Sequence, residues 1–229
     1  MESDAFCTAP LSEPEHQEPG QFRNKRGRAE VANVATHGVG VIASLAGGSL
    51  LIVLAALSGS VRSIVGVSVF AGSLILLYSA STLYHACRNE ISRRRLKVLD
   101  HCAIYVLIAG TYTPFLIGNL RGGWGWSLFG VIWGLALCGV VFKWFHTGRY
   151  ARLSTGIYIA MGWLVLIAAG PLARAISPAA LGWLVAGGLA YTGGTYFYHA
   201  TRMKYAHAFW HVFVLGGSGC HAVAVALAI

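Results

Sequence analysis

The sequence predicts an all-α integral membrane protein built as a bundle of seven transmembrane helices. Three observations predict this class: 56% of the 229 residues are hydrophobic, only 11% are charged, and the mean hydropathy is positive, at +0.62. Soluble domains usually carry about 25% charged residues. Because a membrane span needs roughly 20 consecutive, mostly apolar residues, the number of long apolar stretches decides the architecture.

The first 29 residues differ from the rest of the chain and are predicted to form a disordered N-terminal tail, acidic at first and then basic. Residues 1–20 hold five acidic residues, three prolines and no lysine or arginine, and Arg23, Lys25, Arg26 and Arg28 follow. A segment this polar cannot bury enough apolar surface to fold. Its composition is also unlike a signal peptide, in which a short apolar core follows basic residues. The folded domain is therefore predicted to cover residues 30–229.

Seven stretches after this tail are apolar and long enough to cross a bilayer. The connections between them are at most about ten residues long, so no extramembranous domain is predicted. The predicted spans are residues 31–57, 64–87, 98–118, 126–145, 153–173, 180–199 and 207–229. Pro114 removes a backbone donor within the third span and is expected to kink it.

The lysines and arginines predict how the bundle is oriented. With the N-terminus in the cytoplasm, fourteen of the seventeen flank the cytoplasmic ends of spans, and only Arg62, Arg121 and Arg174 lie outside. Such residues are retained on the cytoplasmic side. The sequence thus predicts a cytoplasmic N-terminus and a C-terminus outside. The same distribution explains the net charge of +9 and argues against nucleic-acid binding, which needs a continuous basic surface.

A few ionisable side chains lie inside or beside the spans, where they are costly and usually functional. His85 ends span two, Asp100 begins span three, and His207 and His211 begin span seven, all near the predicted cytoplasmic face. Residues four apart lie on one helical face, so His207 and His211 can reach one ion. Ser81 and His85 share that spacing. Three histidines with an open fourth position are typical of a catalytic zinc site, although imidazole also suits copper, nickel and iron.

Other interpretations of these residues stay open at this point. Asp100 is the only carboxylate after Glu90, and it can equally serve as a counter-ion for Lys97 and the neighbouring arginines. A single histidine inside a membrane more often hydrogen-bonds between helices than binds metal. Three further histidines lie at the same depth and are candidates either to bind the metal or to contact a residue that binds it: His37, His101 and His199.

From residue 30 to residue 229 the chain resembles the hemolysin III branch of the progestin and adipoQ receptor family, within a superfamily that includes the alkaline ceramidases. The resemblance rests on EVANVATHGVG at the start of span one, STLYH at the end of span two, LDHCAIYVLIAGTYTP in span three and HAFWHVFVLGGSGCH in span seven. It implies a seven-helix bundle in a bacterial plasma membrane, with a cytoplasmic N-terminus and a metal near the cytoplasmic leaflet.

The resemblance also implies roles for individual residues. The family pattern of Ser-x3-His, Asp and His-x3-His falls on Ser81, His85, Asp100, His207 and His211. In the receptor relatives the three histidines hold Zn2+ and the aspartate acts through a water molecule. The metal ligands implied here are therefore His85, His207 and His211, with Asp100 and Ser81 as catalytic residues. His199 has no place in this pattern and is dropped as a ligand.

Three functions are compatible with these residues. The first is a zinc-dependent hydrolase of amide or ester bonds in membrane lipid, in which zinc lowers the pKa of water toward ~7, Asp100 takes the proton, and Ser81 orients Asp100 or the oxyanion. The second is a non-catalytic regulator of membrane lipid composition or energetics. The third is the cytolytic pore that the family name suggests. A pore needs a polar stripe along its helices, whereas these polar residues cluster at one depth.

Overall fold

The computed structural model describes residues 19–120, 122–200 and 202–229, and within these ranges the protein is a bundle of helices. A π-helical turn, Pro114–Asn119, extends α3, and a 3-10 turn, Leu164–Ala168, joins α5 to α6. The helices are α1 (Pro19–Leu57), α2 (Val61–Ala86), α3 (Glu90–Thr113), α4 (Gly123–His146), α5 (Ala151–Gly162), α6 (Ala169–Ala175), α7 (Pro178–His199) and α8 (Ala206–Ala226). The predicted class, an all-α membrane bundle, is confirmed.

The eight helices correspond to the seven predicted spans because α5 and α6 together form the fifth. Six of the seven are long and apolar enough to cross a membrane by length and composition, within the described ranges. The exception is α7, which has 22 residues but ends in the polar run YTGGTYFYH. The chain is a multi-pass integral membrane protein.

Short capping motifs set the helix boundaries. The side chains of Ser60, Asn89 and Ser177 each accept a hydrogen bond from the backbone N–H three residues further on, at 3.0 to 3.2 Å. Such caps contribute about 1 kcal/mol each. Gly59, which ends the turn before α2, has a φ of 71°, a conformation that glycine adopts without strain. The connections can therefore be as short as the sequence predicted.

The beginning of α1 differs from the sequence prediction. This helix starts at Pro19, whereas the folded domain was predicted to begin at residue 30. Residues 1–18 of the predicted tail lie outside the described residues. As a result, Glu30 lies within a continuous helix. Glu30, Asn33 and His37 are three and four residues apart, and this spacing places them on one face of α1.

The third span changes its helical geometry at Pro114, where a kink was expected. The α-helix ends at Thr113 and the chain continues as a π-helix to Asn119, because proline cannot donate the backbone hydrogen bond of a regular helix. Gly66 of α2 lies directly against this point: a Cβ atom on Gly66 would come within 2.8 Å of the Pro114 Cα atom. The altered turn is therefore closely packed against α2.

The packing order brings three helix ends together. Helix α1 packs against both α2 and α8, α2 packs against α3, and α7 packs against α8. Large side chains such as Phe70, Tyr78 and Tyr105 are fully buried between these helices. Because α1 lies between its two neighbours, the start of α1 meets the end of α2 and the start of α8. The residues singled out in the sequence lie at this junction.

The orientation of the bundle remains a prediction based on charge. If basic flanks are retained in the cytoplasm, a reporter fused after Ile229 should be active only when it is of a type that works outside the cytoplasm, such as a phosphatase that needs disulfides. A reporter that is active only in the cytoplasm, fused at the same site, should be silent. The opposite pattern of activity would show that the charge distribution does not set the topology.

Candidate metal centre

Three histidines converge where α2 and α8 meet. His85 lies in the last turn of α2, and His207 and His211 lie one turn apart at the start of α8. One ring nitrogen from each comes within 4.8 Å of the other two, and the ring centroids are 4.6 to 5.2 Å apart. His85 and His211 are buried, and His207 is partly exposed. This arrangement can hold a metal ion.

The turn before α8 fixes where this helix begins. Tyr205, immediately before α8, has a φ of 61°, a left-handed conformation that is uncommon for residues other than glycine. The α-helix follows without interruption, so His207 and His211 share one face, four residues apart. Helix α2 ends one residue after His85 and is closed by a backbone hydrogen bond from the Cys87 N–H to the Leu83 carbonyl, at 2.9 Å.

A carboxylate of α1 holds the ring of His85. The Oε2 atom of Glu30 lies 2.6 Å from the Nδ1 atom of His85, and the other carboxylate oxygen pairs with Arg93 of α3. Asn33, one turn after Glu30, approaches the same Nδ1 atom at 3.4 Å. The Nε2 atom of His85 is buried and has no hydrogen-bond partner within the described residues. A buried ring nitrogen without a partner is costly, and a metal ion is the partner that fits here.

A second residue of α1 contacts His211. The Oγ1 atom of Thr36 lies 3.0 Å from the Nδ1 atom of His211. Beside it, the ring of His37 stacks on His211, with centroids 3.5 Å apart and an angle of 14° between the planes. His37 is buried, and neither of its ring nitrogens has a hydrogen-bond partner among the described residues. Side chains of α1 therefore contact the histidine cluster, but none of them belongs to the three converging ligand residues.

The two residues predicted to be catalytic lie beside the histidines. Asp100 and Ser81 line the same cavity as His85, His207 and His211. The Asp100 side chain is 14% exposed, and among the described residues its Oδ2 atom lies 3.5 Å from the Nδ1 atom of His101. A salt bridge with Lys97, the other interpretation of Asp100, does not form among the described residues. Ser81 is buried, and its Oγ atom has no hydrogen-bond partner there.

The cavity continues from this polar end into the bundle. Its volume is about 660 Å3, and it follows α3 and its π-helical extension from Lys97 to Leu120. At 1.5 Å per residue this distance is about 35 Å. Beyond the histidines the lining becomes mainly apolar, with Leu107, Phe115 and Leu172 among the lining residues. The cavity thus joins the histidines, Asp100 and Ser81 to a mainly apolar lining.

The remaining candidates are bonded elsewhere. The Nε2 atom of His199 lies 3.0 Å from the Thr155 hydroxyl, and the Nδ1 atom of His101 lies 2.8 Å from the Lys97 carbonyl. His221 lies further along α8, and its Nε2 atom is 3.2 Å from the Leu184 carbonyl. None of these belongs to the group of converging nitrogens found among the described residues.

Sequence reasoning missed the residues of α1 that contact the histidines. Glu30 was assigned to the boundary between tail and domain, and Thr36 was not considered. The signal that could have found them is a polar stripe in an apolar span: Glu30, Asn33 and His37 are three and four residues apart, with Thr36 beside them. Polar side chains on one face of a membrane helix normally face other polar groups.

Comparison with known proteins identifies relatives that share one family description. A protein-family model described as "Haemolysin-III related" matches residues 26–222. The hemolysin-3 homolog of Bacillus subtilis (strain 168) is 47% identical over 191 residues, which cover 83% of this chain and 90% of that protein. The hemolysin-3 of Bacillus cereus is 43% identical over 191 residues, which cover 83% of this chain and 87% of that protein.

A more distant relative extends the similarity to animals. The monocyte to macrophage differentiation factor of Homo sapiens is 26% identical over 223 residues, which cover 92% of this chain and 89% of that protein. No solved structure matches the chain. The region matched by the family model contains the whole histidine cluster and the residues of α1 that contact it.

The geometry predicts one divalent metal ion per chain, whose loss loosens the contact between α2 and α8. His207→Ala and His211→Ala should abolish metal binding, and His199→Ala, whose ring bonds to Thr155, should not. A metal at about 100 times its Kd stabilises a fold by ~2.7 kcal/mol. Chelation should therefore lower the Tm of the wild type and of His199→Ala.

Metal analysis of purified protein and melting with and without a chelator test this expectation. In the two α8 variants, chelation should leave the Tm unchanged, which separates the loss of metal from any direct effect of the substitution on packing. Full metal content in both variants would show that the histidines are not ligands.

Proposed function

We propose that this protein is a zinc-dependent hydrolase of membrane lipids. The chain belongs to the haemolysin-III-related family, a branch of the progestin and adipoQ receptor family. The observation that carries the proposal is the convergence of three histidine nitrogens beside Asp100, at the polar end of a mainly apolar cavity. The bond that is cleaved is an amide or an ester.

The residues present fit zinc. Three imidazoles from two helices leave room for a further ligand, which is the pattern of catalytic rather than structural zinc sites. Among the described residues, no cysteine belongs to the converging group. When bound, zinc supplies a Lewis acid and lowers the pKa of water toward neutrality. The ligands would be His85, His207 and His211.

Asp100 is proposed to be the general base. Its carboxylate lines the cavity beside the histidines but does not belong to the converging group of ligand atoms. It is therefore free to accept a proton from water rather than to hold the metal. Because it is the only carboxylate after Glu90 in the sequence, the later helices provide no acidic alternative. General bases typically contribute 10²- to 10⁴-fold to the rate.

Ser81 is proposed to assist through one hydrogen bond. It lies one turn before His85 on α2, is 1% exposed, and has no hydrogen-bond partner for its hydroxyl among the described residues. A buried hydroxyl normally has a partner. The carboxylate of Asp100 and the carbonyl oxygen of a lipid are the two groups that this hydroxyl could serve.

The cavity supports a lipid as the substrate. The cavity has a volume of about 660 Å3, and its mainly apolar part along α3 suits an acyl chain. The carbonyl of the lipid would lie near Asp100. Ligand sites of this type combine an apolar lining with a few polar groups that fix the orientation. An apolar lining also disfavours passage of ions, which argues against a pore.

The regulator hypothesis uses the same metal site without turnover, so activity must separate the two. We expect purified, zinc-loaded protein to release fatty acid from a labelled lipid, with ceramides and phospholipids as the panel. Asp100→Asn should keep zinc and lose about 10²-fold or more of the rate, because an amide cannot accept the proton. Ser81→Ala should lose about fivefold, corresponding to ~1 kcal/mol for one hydrogen bond.

Glu90→Gln is the matched control, because Glu90 is exposed and, among the described residues, its ion pair is with Arg94, at 3.9 Å. Its rate should equal that of the wild type. Equal and negligible release by the wild type and by Asp100→Asn across the whole panel would remove the hydrolase proposal and leave the regulator in its place.

A further inference from the structure

We propose that α1, which supplies no metal ligand, sets the metal affinity of the site through two positioning residues, Glu30 and Thr36. Each holds one ligand histidine in the tautomer and ring orientation that directs its Nε2 atom at the metal. The inference rests on the metal site of the proposed function but not on hydrolysis, since it concerns binding alone.

The contact between Glu30 and His85 determines which nitrogen of His85 carries the proton. An ionised carboxylate can only accept hydrogen bonds, so at 2.6 Å the Nδ1–H of His85 must donate to Glu30. A neutral imidazole with a protonated Nδ1 atom has its lone pair on Nε2. That is the buried nitrogen which lacks a partner within the described residues. With Nδ1 occupied in this way, the 3.4 Å approach of Asn33 is a contact rather than a hydrogen bond.

Glu30 is itself held in place. Its second oxygen pairs with Arg93, whose guanidinium lies over the ring of Tyr84, 5.2 Å from the ring centroid. The side chains of Glu30 and Arg93 are 26% and 29% exposed. The partial burial and the two-sided contact restrict the carboxylate to one position. Arg93 on α3, Glu30 on α1 and His85 on α2 thus form a chain across three helices.

The same argument applies to Thr36 and His211. The Thr36 hydroxyl has one hydrogen, and it donates that hydrogen to the backbone carbonyl of Ala32 at 2.9 Å or of Asn33 at 3.0 Å. We assign the hydroxyl hydrogen to these carbonyls, which makes the Thr36 oxygen the acceptor for the Nδ1–H of His211, at 3.0 Å. The lone pair of His211 therefore also lies on Nε2. The stacked ring of His37 further limits rotation of this imidazole.

Both contacts act on the metal in the same direction. A hydrogen-bond acceptor on the distal nitrogen fixes the tautomer, orients the ring and raises the basicity of the ligand atom. Removing such an acceptor typically costs 10- to 100-fold in metal affinity. The alternative is that Glu30 and Thr36 only tie helices together, in which case the protein would lose stability without a specific change in metal affinity.

The test measures the zinc affinity of the full-length protein in detergent, by competition with a fluorescent chelator. We expect Glu30→Gln and Thr36→Val each to weaken zinc binding by about 10- to 100-fold. Thr36→Ser, which keeps the hydroxyl, should retain the wild-type affinity. The controls are Glu90→Gln, an exposed carboxylate, and Thr82→Val, whose hydroxyl donates to the Tyr78 carbonyl of its own helix.

If Glu30→Gln or Thr36→Val leaves the zinc affinity unchanged, that residue is removed from the proposal. If the two control variants lose as much zinc affinity as these variants do, the loss reflects general destabilisation and the proposal is overturned. If affinity falls as expected while no lipid is hydrolysed, the hydrolase proposal fails and this inference stands. If lipid is hydrolysed while affinity is unchanged, the reverse holds. The Tm of the metal-free variants identifies any purely structural contribution.

Discussion

The structure depends on the cost of burying imidazole nitrogens among apolar helices. His85 and His211 are 8% and 1% exposed, and each ring nitrogen withdrawn from water needs a compensating partner. Two of these nitrogens are satisfied by Glu30 and Thr36 of α1. The Nε2 atom of His85 has no hydrogen-bond partner among the described residues, and one nitrogen of each histidine converges on the space that the three share. The arrangement of the helix ends follows from this requirement, because α2 and α8 supply the histidines while α1 supplies their hydrogen-bond partners.

The histidines and the residues that hold them come from four helices, and the packing order brings these helices together. Helix α1 lies against both α2 and α8, so its polar face can contact ligand histidines on either side. Arg93 at the start of α3 completes the chain through Glu30. Because α2 runs into the site and α8 runs out of it, the histidines lie at helix ends, where the turns can adjust the position of each ring. Tyr205, with its left-handed backbone, is one such adjustment.

The position of the cavity relates this site to the surrounding lipid. The histidines, Asp100 and Ser81 lie at one end, and the lining is mainly apolar as it follows α3 as far as Leu120. The proposed substrate, a lipid with one polar linkage and a long apolar chain, requires a distribution of this kind. The relatives named hemolysin-3 align with 83% of this chain.

The sequence by itself determined the fold class and most of the span boundaries, because hydropathy and capping residues act locally. Spacing along one helix and depth in the membrane also made His85, His207 and His211 candidates, and the family resemblance separated them from the other histidines at that depth. Only the tertiary structure decided that α1 supplies the partners of these histidines, that α1 begins before residue 30, and that the Asp100 carboxylate lies next to His101. Those outcomes depend on which helices become neighbours and on how each is rotated about its axis. Both are set by packing across the whole bundle; the polar stripe of α1 in the sequence indicates that this face meets polar groups, but not which ones.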